Sequence, residues 1–109
     1  MKITFVAALV LAVALTTTYS QTTQLSGVRP KDGFVPNAET AVKIAEAVLV
    51  PVYGKNQIES ERPFTATRQG DVWAVAGTLN CGAPPCVGGT AVVKISKVSG
   101  RILFMAHYK

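Results

Sequence analysis

The sequence is poor in the residues that build catalytic and metal centres. Its 109 residues include one histidine, two cysteines, one tryptophan and six acidic side chains. A metal site draws three or four ligands from His, Cys or carboxylate at short spacings. His107 lies far in sequence from Cys81 and Cys86, so neither a metal nor another cofactor is expected. Acid–base chemistry needs positioned titratable groups, and no nucleophile, base and orienting acid assemble here from local spacing. The eleven Lys and Arg give a net charge of +5, yet they are scattered, with no run of three. Nucleic-acid and membrane patches show clustering, so the pattern fits a solvated surface. No internal repeat and no domain linker break the chain.

One long apolar run is present, at the N-terminus. Met1-Lys2 is followed by apolar residues from Ile3 to Leu15 with Thr4 the exception, and then by Thr16-Thr17-Thr18-Tyr19-Ser20. This is the order of a secretory signal, with small residues Thr18 and Ser20 ahead of a cleavage point between Ser20 and Gln21. The mature chain is therefore expected to start at Gln21. The apolar core of about 13 residues is short of the roughly 20 that cross a bilayer. No cysteine follows it to accept a lipid, so no stable membrane anchor is expected. Cleavage is expected to leave about 90 residues outside the cytoplasm, enough for one modest core.

In an exported chain, Cys81-Gly82-Ala83-Pro84-Pro85-Cys86 reads first as a structural disulfide, ahead of free thiols or a redox or metal role. A redox-active pair normally encloses two residues, and this pair encloses four.

Residues 21–33 carry no apolar period and read as a flexible leader. Order begins near Phe34-Val35-Pro36. Asn37 caps a helix starting at Ala38, with Glu39 in its first turn. Ala41, Ile44, Ala45, Val48 and Val52 share one face, Pro51 ends or kinks the helix, and Gly54 stops it. No other helix is expected. Residues 58–60 read as a short strand, 64–68 and 72–79 as a hairpin about Gln69-Gly70-Asp71, and 90–97 and 101–107 as two more strands. The layout is α+β: one amphipathic helix packed on an antiparallel sheet of three to four strands.

Individual residues read mostly as structure. Trp73, on an alternating strand, is a core residue, and Gly77 permits close backbone approach. Gly88-Gly89 lacks the strand-to-helix setting of a phosphate cradle. Tyr53 is either a half-buried core residue or an anchor for a partner. Glu59 and Glu61, two apart on a strand, are either a solvated edge or a paired-carboxylate site. His107 takes a surface or edge position.

Several segments together resemble a known family. They are Asn37 to Ala47, Pro51-Val52-Tyr53-Gly54, Pro63-Phe64, Trp73 to Leu79, Gly88-Gly89, and Lys97-Val98-Ser99-Gly100-Arg101-Ile102-Leu103. Their order and spacing, across residues 34–109, are similar to the NTF2-fold immunity proteins, or YbbC/YhhH-like family. The resemblance implies a curved antiparallel sheet wrapped on a helix, a reduced NTF2/cystatin-like fold in a single domain. It also implies a bacterial protein that neutralises one cognate secreted toxin without catalysis. Recognition would then fall to loops and the outer sheet face, with Thr65, Arg68, Lys94 and Tyr53 as candidate partner-binding residues. The helix and the strands ending in Val98-Ser99-Gly100-Arg101-Ile102-Leu103 also resemble the PepSY repeat, which implies an envelope binding or inhibitory module. A small-ligand carrier or an enzyme using the concave sheet face is the third reading.

Overall fold

A computed structural model describes residues 26–82 and 87–109. The expected signal, the cleavage point between Ser20 and Gln21, and Cys86 all lie outside the described residues. So do residues 21–25 of the expected leader, including its first residue, Gln21.

The first helix, α1, runs Ala38–Tyr53. The Asn37 side chain accepts the Thr40 N–H at 2.8 Å, which satisfies one of the donors left open at a helix start. Pro51 does not end the helix: the chain stays helical to Tyr53, where the Gly54 N–H bonds the Val50 carbonyl at 2.8 Å. Gly54, at φ 92°, turns the chain straight into a second helix, α2, Lys55–Ser60. This overturns two expectations, a single helix and a strand at 58–60. Lys, Gln and Glu are good helix formers, and one buried apolar residue, Ile58, suffices to pin so short a helix to the core. Glu59 is therefore helical and Glu61 follows the helix, so the two do not share a strand face.

Four strands follow as an antiparallel meander in the order β1-β2-β3-β4: Thr65–Gln69, Val72–Ala76, Ala91–Ser96 and Ile102–His107. Gln69 pairs with Val72 around the two-residue Gly70-Asp71 turn, with Gly70 at φ 60°. The register of β3 and β4 shifts between Lys94 and Ile95, an irregularity that bends the last strand.

Helix and sheet meet through small residues. Ala41, Ala45 and Leu49 are fully buried against Trp73, Val75, Ala91, Val93 and Ile95, and Val35, Ile58 and Phe64 close the ends. The buried stripe thus centres on positions four apart, with Ile44 and Val48 only partly covered. Val52, expected on that face, is 60% exposed, because the stripe has turned away from the sheet by the last turn. Trp73 lies in the core as expected, and its indole N–H donates to the Val35 carbonyl at 2.8 Å. That bond fixes the chain ahead of α1 to the middle of the sheet.

Candidate functional site

Two surfaces can carry function, one on each side of the sheet. Directly paired residues share a face, so Val72, Ala74 and Ala76 lie together with Ser96, Lys94 and Val92, and Lys94 and Val92 lie with Phe104 and Ala106. Both helices are on the other side. An antiparallel sheet with one solvated face normally alternates apolar in and polar out. Here the outward positions of the two central strands and β4 are mostly apolar, and Phe104 is 43% exposed. The Lys94 ammonium sits 5.9 Å from the centre of the Phe104 ring, within cation–π range.

The four candidate partner-binding residues do not form one cluster. Thr65, opposite Ala76, and Lys94 are on the outer face. Arg68 pairs with Trp73 and so lies on the helix side of the sheet, where its Nε donates to the Gly70 carbonyl at 3.0 Å. The expectation that Arg68 shares the outer face is corrected: it is three residues from Thr65 on one strand, so alternation puts the two on opposite faces, and Thr65 is the outward one. Tyr53, half-buried at the end of α1, belongs to the second surface.

That second surface is built on Glu61, which is only 4% exposed. Its Oε1 accepts the Ala91 N–H at 2.6 Å. Its Oε2 accepts from Gln57 Nε2 at 3.1 Å and lies 3.0 Å from His107 Nε2. Burial pushes the Glu61 pKa up, but the bonds from Ala91, Gln57 and His107 outweigh it and hold the carboxyl below its ordinary range. The His107 ring in turn leans on Tyr53, with centroids 5.4 Å apart and planes tilted by 53°. Arg62 secures the corner with bonds of 2.9 and 3.1 Å to Glu46 on α1. An open cavity of about 410 Å³ lies over this group, lined by Tyr53, Gln57, His107 and Lys109.

Sequence reasoning missed this cluster and left His107 without a partner. Gln57 and Glu61 are four apart, a spacing that places both on one helix face once α2 is recognised. Nothing local signals the bond from Glu61 to His107, which are 46 positions apart. Gly77 does allow close approach, to the Glu61 segment rather than to α1: a Cβ there would lie 3.0 Å from Glu61 Cβ and from Phe64 Cε1. Among the described residues there is no group of three His, Cys, Asp or Glu able to hold a metal. No free cysteine is found among them either. No helix among them is long and apolar enough to cross a membrane.

The sequence pattern of the NTF2 fold immunity protein family matches residues 40–109, which takes in most of α1, all of α2 and the whole sheet. The chain belongs to that family. It is also similar to YhhH of Escherichia coli (strain K12), described as uncharacterized, with 33% identity over 75 residues. That match covers 69% of this chain and 58% of YhhH, so the chain spans little more than half the length of this relative. No solved structure matches. As an NTF2 fold immunity protein, the chain keeps a helix-on-sheet core, and among the described residues no helix covers the outer sheet face.

Proposed function

We propose that this protein is a periplasmic immunity protein that binds one cognate toxin in a fixed stoichiometry and occludes it. Family membership supports the class of target. The signal-like order of residues 1–20, with the mature chain starting at Gln21, supports export, and an immunity protein must meet its toxin where the toxin acts. The observation that carries the mode of action is the outer sheet face. Val72, Ala74, Ala76, Val92, Phe104 and Ala106 replace the polar residues that a solvated sheet face would carry. Lys94 stands within this apolar face, paired with Ala74 and Phe104, and Thr65 lies on its edge strand; a largely apolar surface with a few polar groups suits a protein interface. Loss of Lys2 with residues 1–20 leaves ten Lys and Arg against six acidic residues, a net charge of +4 that favours encounter with an acidic partner, at a rate that falls with salt.

The test is survival. The candidate toxin encoded beside this gene is directed to the periplasm with and without co-expression of this protein. The proposal expects protection that depends on export of both. Equal killing in both strains, with no complex on co-purification, contradicts it.

A further inference from the structure

The cavity between the end of α1 and the end of β4 is separate from the outer sheet face, and its chemistry is of another kind. Its one nearby acid, Glu61, is committed: Oε1 holds Ala91, and Oε2 holds Gln57 and His107. No acidic residue lines the cavity among the described residues. Two of the donors around it are free by contrast. Neither the Tyr53 hydroxyl nor the Lys109 ammonium has a hydrogen-bond or ion-pair partner among the described residues. Two tilted rings, Tyr53 and His107, give the cavity an apolar wall, and Glu61 and Tyr53 between them hold the His107 ring. A volume of about 410 Å³ falls in the range of small-molecule sites, which pair an apolar lining with a few placed polar groups.

We propose that this cavity binds a small carboxylate carried on a planar apolar body, with the body against Tyr53 and His107 and the carboxylate taken by the Tyr53 hydroxyl and the Lys109 ammonium. Uncommitted donors beside a fully used acid favour an anion over a cation, since the Lys109 ammonium is the one unpaired charged side chain among the described lining residues and repels a ligand cation. Glu61 acts as a positioning residue: it holds the imidazole wall and does not touch the ligand. The inference stands independently of the toxin-binding reading, because the residues involved lie on the helix side of the sheet.

The test is an NMR titration of ¹⁵N-labelled protein with benzoate, and with benzamide as its neutral counterpart. The proposal expects saturable shifts at Tyr53, Gln57, His107 and Lys109 with benzoate, and binding about tenfold weaker with benzamide. Tyr53→Phe and Lys109→Ala should each weaken benzoate severalfold while leaving the amide spectrum elsewhere unchanged. A peptide ending in phenylalanine, with a free or an amidated C-terminus, distinguishes a protein-borne carboxylate from a free small molecule. Tighter binding of the free-ended peptide than of benzoate assigns the site to a protein terminus; weaker binding assigns it to a small molecule. Absence of saturable shifts with both benzoate and the free-ended peptide, or equal binding of benzoate and benzamide, overturns the proposal.

Discussion

The Glu61 carboxylate and the His107 imidazole meet at 3.0 Å, joining the end of α2 to the end of β4 across 46 residues. The same carboxylate takes the Ala91 N–H at the start of β3. One side chain therefore ties the helical corner to two adjacent strands, at the place where the long connection between β2 and β3 re-enters the sheet.

Removal of that side chain should be costly. Glu61→Ala leaves the buried Ala91 N–H without an acceptor and frees Gln57 and His107, with an expected loss of about 2–4 kcal/mol. Glu61→Gln keeps an acceptor for Ala91 and should lose less. Urea unfolding followed by tryptophan fluorescence measures both, with Trp73 as reporter. Equal stability of Glu61→Ala and wild type would show that the hub does not hold the corner.

The same bonds set a pH dependence. Glu61 has a folded-state pKa below its ordinary value. Folding therefore favours its ionised form, and this contribution is fully present above the unfolded-state value of about 4.3 and is lost as pH falls through the folded value. The stability gap between wild type and Glu61→Gln should narrow as pH falls below about 4. Urea midpoints between about pH 5 and pH 3 decide it; a gap that widens across that acid range has the wrong sign.

Trp73→Phe keeps most of the buried ring but removes the donor to the Val35 carbonyl. The expected cost is about 1–3 kcal/mol. Hydrogen exchange should locate it, with lost protection at Val35, whose N–H bonds the Lys97 carbonyl, before the sheet centre responds. Uniform loss across the sheet would mean that Trp73 acts by volume alone.

A bridge between Cys81 and Cys86 would close a short loop, which the chain-entropy model values at about 2 kcal/mol. Replacing both by serine should lower the melting temperature modestly and leave the protein folded. Alkylation of the native, periplasm-derived protein checks the pairing itself: two labelled thiols would refute it. The intact mass of the same preparation checks export, with a chain beginning at Gln21 expected and one retaining residues 1–20 against it.

Much of the fold was legible in the residues. The Asn37 cap, the core position of Trp73 on its alternating strand, and the hairpin turn at Gln69-Gly70-Asp71 are local signals, and each holds in the structure. The helix α2 was hidden because six residues with one apolar side chain give no period to distinguish helix from strand. The Leu49 stripe was misplaced because the sheet, not the helix, decides which apolar side is covered. Alternation along β1 separates Thr65 from Arg68, three residues on, and puts Arg68 on the helix side with Trp73 rather than beside Lys94. The Glu61 hub was out of reach because its partners come from three elements that are remote in sequence.

The central claim is that the outer sheet face binds the toxin, and isothermal titration of the purified toxin into outer-face variants measures it most directly. Ala74→Glu sets a charge in the apolar centre, Lys94→Glu reverses the exposed charge beside Phe104, and Arg68→Glu makes a comparable change on the opposite face. The account predicts a fixed-stoichiometry complex for wild type and Arg68→Glu, with binding at least about thirtyfold weaker for Ala74→Glu and Lys94→Glu and their melting temperatures near that of wild type. Undiminished binding by both outer-face variants, or loss confined to Arg68→Glu, would contradict it.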